Sequence, residues 1–119
     1  MDKLTEYQQD LFDTFMYHVE LGGICLKSIE GRAIGKTHAL NELGFNLQAL
    51  GYEVFVSTIT EHIEYFAEMF VSVDSQSWRG MLDDKCVVLV DEIKVSKMDE
   101  LIRYCEMRKI PVVGFVNFD

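Results

Sequence analysis

Nowhere in the chain do about 18 apolar residues follow one another, the minimum for a helix to cross a bilayer, so the sequence offers no membrane span. Met1 to Asp10 is polar and acidic, which is not the pattern of a secretory leader. The expectation is a cytoplasmic protein. Cysteine is scarce: Cys25, Cys86 and Cys105 are odd in number, lie in apolar surroundings and lack the close Cys or His neighbours that a zinc site needs. They read as buried, reduced thiols. Positive charge is in short supply too, with 11 Lys and Arg against 20 Asp and Glu and a net charge of -9. Nucleic-acid binding that rests on phosphate contacts needs Lys and Arg to displace counterions. Direct nucleic-acid binding is therefore not expected, and a protein partner or a homo-oligomer is. Internal repeats and low-complexity linkers are missing as well, so residues 1–119 are expected to form a single domain.

What is present suits a folded core, since 49% of the residues are hydrophobic and 12% aromatic. Thr5 and Gln8 have the spacing of a capping box, and Leu11, Phe12, Phe15, Met16 and Val19 recur at helical spacing as far as Gly22-Gly23. This predicts an N-terminal helix over 5–21 that packs on the core. Ile24 to Ile29, short and β-branched at its ends, predicts a buried strand. Leu40, Leu43, Leu47 and Leu50 mark one face of a second helix, starting near Lys36 and stopped by Gly51. Tyr52 to Thr58 reads as the next strand, after which Thr58 or Thr60 would cap a helix carrying Ile59, Ile63, Phe66 and Phe70. Val71 to Asp84 has no period and reads as a loop. Cys86 to Val90 is an unbroken apolar run, as in a central parallel strand covered on both faces. Ser96 and Asp99 would open a helix through Met98, Leu101, Ile102 and Cys105, and Pro111 to Phe118 supplies the last strand.

Strands that alternate with helices need crossover connections and therefore pair in parallel. The expected fold class is α/β, a three-layer sandwich around a mainly parallel four-stranded sheet. Ligands on such sheets bind at the carboxyl ends of the strands, and two motifs fall there.

Glu30-Gly31-Arg32-Ala33-Ile34-Gly35-Lys36-Thr37 stands between a predicted strand and a predicted helix, the context of a phosphate-binding loop. Backbone N–H groups of such a loop point with the helix N-terminus at one anion, which makes Gly31, Arg32, Ala33, Ile34, Gly35, Lys36, Thr37 and His38 the candidate cradle. Lys36 would reach the β- and γ-phosphates, and the Thr37 hydroxyl would hold magnesium. The first glycine of the usual pattern is replaced by Glu30, with a glycine one place later. The second motif is Val87-Val88-Leu89-Val90-Asp91-Glu92. Asp91 would bind the magnesium through water, and Glu92 would orient or deprotonate the attacking water.

Arg32 lies three places before Gly35-Lys36, and in this the loop resembles the Arg-containing variant loops of phage terminase ATPases. Those proteins belong to the additional-strand, catalytic-glutamate division of P-loop NTPases, whose Walker B strand the second motif also resembles. The likeness covers roughly residues 22–119. It implies a minimal P-loop NTPase core with ATP and Mg2+ as cofactors. It also implies that Asn117, ending the strand after the acidic motif, sits at the sensor position and acts with Lys36 and Glu92 in catalysis. Asn117-Phe118-Asp119 lacks the lysine and the spacing of a guanine-specific Asn-Lys-x-Asp motif, so adenine is expected. Arg79, beside Trp78, is a candidate arginine finger for a neighbouring subunit. His18, His38 and His62 are isolated, and only His38 borders the cradle.

Two functions follow from these readings. One is a slow magnesium-dependent ATPase or ATP switch that acts with a protein partner and comes from a phage or mobile element, in the host cytoplasm; Glu92 favours it. The alternative is a pared-down, non-motor module that uses the P-loop fold to bind or inhibit a host or replication protein. Glu30 in the loop and the lack of a visible lid favour that one. A third reading makes these residues the N-terminal part of a longer ATPase.

Overall fold

The computed structural model describes residues 6–28, 36–58, 69–70, 82–83 and 85–117. Helix α1 (Glu6–Leu21) ends where the glycines foretell: Gly22 takes φ 69°, and the N–H groups of Gly22 and Gly23 return to the carbonyls of Val19 and His18. A side chain is disfavoured in that conformation. It would also stand 2.9 Å from the carbonyl oxygen of Lys109. The chain then runs through β1 (Ile24–Ser28), α2 (Lys36–Ala49), β2 (Glu53–Thr58), β3 (Met69–Phe70) and β4 (Cys86–Lys94). A 3-10 turn (Val95–Lys97) leads to α3 (Asp99–Arg108) and finally β5 (Val112–Asn117).

The sheet has the order β1-β5-β4-β2-β3, and every pairing is parallel. The α/β sandwich expected from the sequence is therefore the fold. The last strand of the chain is inserted between β1 and β4, so each of its ladders joins segments far apart in sequence. Pleat alternation divides the sheet's side chains between two layers. Val54, Val56, Val87, Leu89, Val113 and Phe115 turn toward α1 and α2, where Leu11, Phe15, Val19, Leu40, Leu43 and Leu47 meet them. Phe55, Val88, Val90, Val112 and Val116 turn the other way, toward Met98, Ile110 and the Leu101 and Cys105 of α3. Phe15 meets Phe115 edge-on with ring centroids 5.5 Å apart. Such a pair adds about 0.5–1.5 kcal/mol to the burial of the two rings.

Three expectations are corrected. The sheet has a fifth, two-residue strand, in which Met69 and Phe70 pair with Phe55 and Val56. Phe70 thus belongs to a ladder rather than to a helix, because backbone pairing along β2 outweighs its i, i+4 spacing from Phe66. Strand β4 does not stop at Val90 but continues for nine residues to Lys94, since β5 offers hydrogen-bond partners past the apolar run. Ser96 does not cap α3: it lies within the 3-10 turn, and Met98 occupies the cap position with no side-chain hydrogen bond. Asp99 and Glu100 instead place negative charge in the first turn of α3, where the helix dipole favours it. Thr5, the helix expected over Ile59, Ile63 and Phe66, and the segment with Trp78 and Arg79 fall outside the described residues. Among the described residues no helix is long and apolar enough to cross a membrane.

Candidate functional site

Because all the strands are parallel, their carboxyl ends open on one end of the sheet. Lys27, Phe115, Asp91 and Thr58 form one row across it, from β1 through β5 and β4 to β2. With strands spaced about 4.8 Å apart, Lys27 and Asp91 stand roughly 10 Å from each other. Asp91 continues the alternation of Val87 and Leu89, so it lies on the face covered by α1 and α2, and it is only 4% exposed. A buried carboxylate is costly unless it is partnered, and Asp91 is not isolated. Its rung with Thr58 is the last that β4 shares with β2. Beyond it, among the described residues, β4 pairs with β5 alone.

The ladder is irregular at the next step. From Asp91 to Ile93, β4 advances two residues while β5 advances one, from Phe115 to Val116, so Glu92 is the extra residue of a β-bulge. In a regular strand Asp91 and Glu92 would face opposite layers. Here Ile93 takes the place on the α3 side that a regular strand would give to residue 92, and it packs in that core. Bulges of this kind re-aim side chains and recur beside active sites. Strand β5 ends at Asn117, which is exposed and pairs with Lys94, one residue beyond the rung that joins Val116 to Ser28 of β1.

Lys36, Thr37 and His38 form the first turn of α2. That helix lies on the Asp91 side of the sheet, anchored through Leu40, Leu43 and Leu47 to the layer that holds Val87 and Leu89. The fold therefore collects the end of β1, the start of α2, Asp91, Glu92 and Asn117 at one end of one sheet. Residues 29–35, hence Glu30 and Gly31 to Gly35, and the side chains of Lys36, Thr37, His38 and Glu92 lie outside what is described. Two positions here escaped sequence reasoning. Lys27 shares the Asp91 row, which only the register reveals. Asn41, one helical turn after Thr37, buries its Oδ1 with no hydrogen-bond partner among the described residues, and no motif marks it.

Other reactive groups lie elsewhere. His18 is half-buried in α1, with Nδ1 2.9 Å from the Thr14 carbonyl. At the amino end of the sheet, Sγ of Cys86 stands 3.4 Å from Oδ1 of Asp83 and 3.7 Å from Oε2 of Glu53, and the Asp83 N–H donates to the sulfur at 3.2 Å. These three groups are close enough to be considered for a metal, but the thiol and the N–H already serve as donors within them. Burial, helped by the two carboxylates, pushes the Cys86 thiol up to about 12. Burial does the same for Cys105. Cys25 is only partly buried; burial raises it as well, and the charge of Lys27 offsets part of the effect.

No family model matches the chain, and neither curated proteins nor solved structures give a match.

Proposed function

We propose that this chain is an ATP-binding P-loop protein, a slow magnesium-dependent ATPase or ATP switch that acts with a protein partner or with further copies of itself. The observation that carries the reading is the strand order. Strand β5 runs between β1, which leads into Glu30–Thr37, and β4, which bears Asp91-Glu92. A strand added between the loop-bearing strand and the acidic strand is what names the NTPase division that both motifs resemble. The position of Asp91 also suits the ligand: magnesium prefers oxygen donors, and Asp91 offers a buried one on the sheet face that α2 covers.

On this reading the backbone of residues 31–38 holds the phosphates and Lys36 supplies the positive charge. Thr37 and Asp91 hold Mg2+, directly and through water. Glu92 positions the attacking water or accepts its proton, and Asn117 contacts the γ-phosphate or that water. ATP supplies the phosphoryl group that is transferred.

Calorimetric titration of ATP and ADP with and without Mg2+, on wild type and on Lys36→Ala, tests the reading, with phosphate release followed on the same samples. Magnesium-dependent ATP binding is expected in the wild type and none in the variant, whose thermal melt should be unchanged. Failure of the wild type to bind at millimolar ATP overturns the reading. Binding without phosphate release assigns the chain to the non-motor module instead.

A further inference from the structure

Helices α1 and α3 cover opposite faces of the sheet, and their solvent sides differ in charge. Glu6, Asp10, Asp13, Tyr17 and Glu20 are all exposed and recur at helical spacing, so they form one acidic stripe on α1, which contains no Lys or Arg. Among the described residues none of these four carboxylates meets a cation of its own chain. Cations gather on the other side: of the seven Lys and Arg whose side chains are described, five lie between Lys94 and Lys109. Among the described residues a shallow groove along α3 is lined by Glu100, Arg103, Tyr104, Met107 and Arg108. The Arg108 guanidinium lies 4.5 Å over the Tyr104 ring, and Met107 is 86% exposed. Asp99 and Glu106 are also exposed on α3, off the groove. The groove thus joins two guanidinium groups to an apolar side chain that is left in water.

We infer that this groove docks α1 of a second copy of the chain, with Asp10 and Asp13 against Arg103 and Arg108, and Tyr17, itself 60% exposed, against Met107. Charge complementarity selects the occupant: in a chain of net charge -9 the groove sets Arg103 and Arg108 against Glu100, a local positive excess whose complement is the acidic stripe of α1. The two surfaces lie on opposite sides of the molecule, so one contact leaves one of each free. Copies therefore add head to tail rather than closing as a two-fold dimer. Helix α3 is about 15 Å long, so the contact falls below the roughly 1,200 Å² of a stable interface and assembly depends on concentration. The inference is independent of nucleotide binding and stands or fails separately from it.

Sedimentation velocity over a concentration series tests it on wild type, Arg103→Glu/Arg108→Glu, Asp10→Lys/Asp13→Lys and an equimolar mixture of the two variants. All four substituted positions are exposed, and thermal melts confirm folding. The wild type should grow past a dimer as concentration rises. Each variant alone should stay at 13.7 kDa, because its two surfaces now carry like charge. The mixture should assemble again, since native and reversed pairs both become complementary there while both variants remain net acidic. A wild type that stays monomeric at millimolar concentration or stops at a dimer overturns the inference. So does a variant that assembles unaided, or a mixture no heavier than its parts.

Discussion

Gly114 of β5 lies so close to Val90 of β4 that a Cβ on the glycine would fall on the Val90 backbone, and its φ of 145° is one that side chains rarely adopt. Val90 immediately precedes Asp91, so this contact fixes how the inserted strand seats beside the acidic residues. Gly114→Ala must either strain the backbone or part the two strands, and it is expected to cost about 3 kcal/mol or more. Urea unfolding of both proteins measures this. A loss below about 1 kcal/mol would mean that the strands separate without penalty.

Asp91 is the metal candidate that the fold buries. Asp91→Asn keeps the size of the side chain and removes its charge, so Mg2+ should no longer improve ATP affinity, a loss of about tenfold or more in the presence of the metal. Titrations with and without Mg2+ read the effect. An undiminished magnesium effect would take Asp91 out of the site.

Glu92 stands outside the regular ladder, so Glu92→Gln should change stability by no more than about 0.5 kcal/mol. MgATP binding should persist while turnover drops on the order of 100-fold, as for loss of a positioned base. Equal phosphate release from the two proteins would deny Glu92 its role.

Cys86 and Cys105 make a pH prediction. Their thiols rise from 9.0 to about 12 on folding, so in both states they are neutral below pH 9 and the linked stability is complete there. Between pH 9 and 12 the unfolded chain loses these protons first, and stability falls. A thiol reagent near neutral pH should accordingly label Cys25 promptly and the other two only after denaturant is added. Three equally fast thiols in the folded protein would contradict that burial.

The elements were legible in the sequence wherever a local rule decides. Gly22-Gly23 marks the end of α1, the leucines of α2 mark its buried face, and Cys86 to Val90 announces a central strand. The order of the strands was not legible, because the ladders of β5 with β1 and β4 join segments that no local pattern links. The same non-local pairing hid the extension of β4, since Asp91-Glu92-Ile93-Lys94 looks too polar for a strand until β5 lies beside it. Met69-Phe70 reads as helix by spacing and is a strand only because β2 is there to receive it. Of the candidate site, the two acids could be named from the sequence. Lys27 and Asn41 could not, since what marks them is a register and a buried oxygen with no partner among the described residues.

The bulge has one last consequence. Asp91 already pairs with Phe115 and Ile93 with Val116, so a chain without Glu92 would close its ladder into regular alternation, with Asp91 and Ile93 keeping their faces and partners. The second acid is thus dispensable to the architecture. It can be excised whole from a sheet that is complete without it, whereas taking out either neighbour would close the ladder only by moving Glu92 into the rung of buried Asp91 or of buried Ile93.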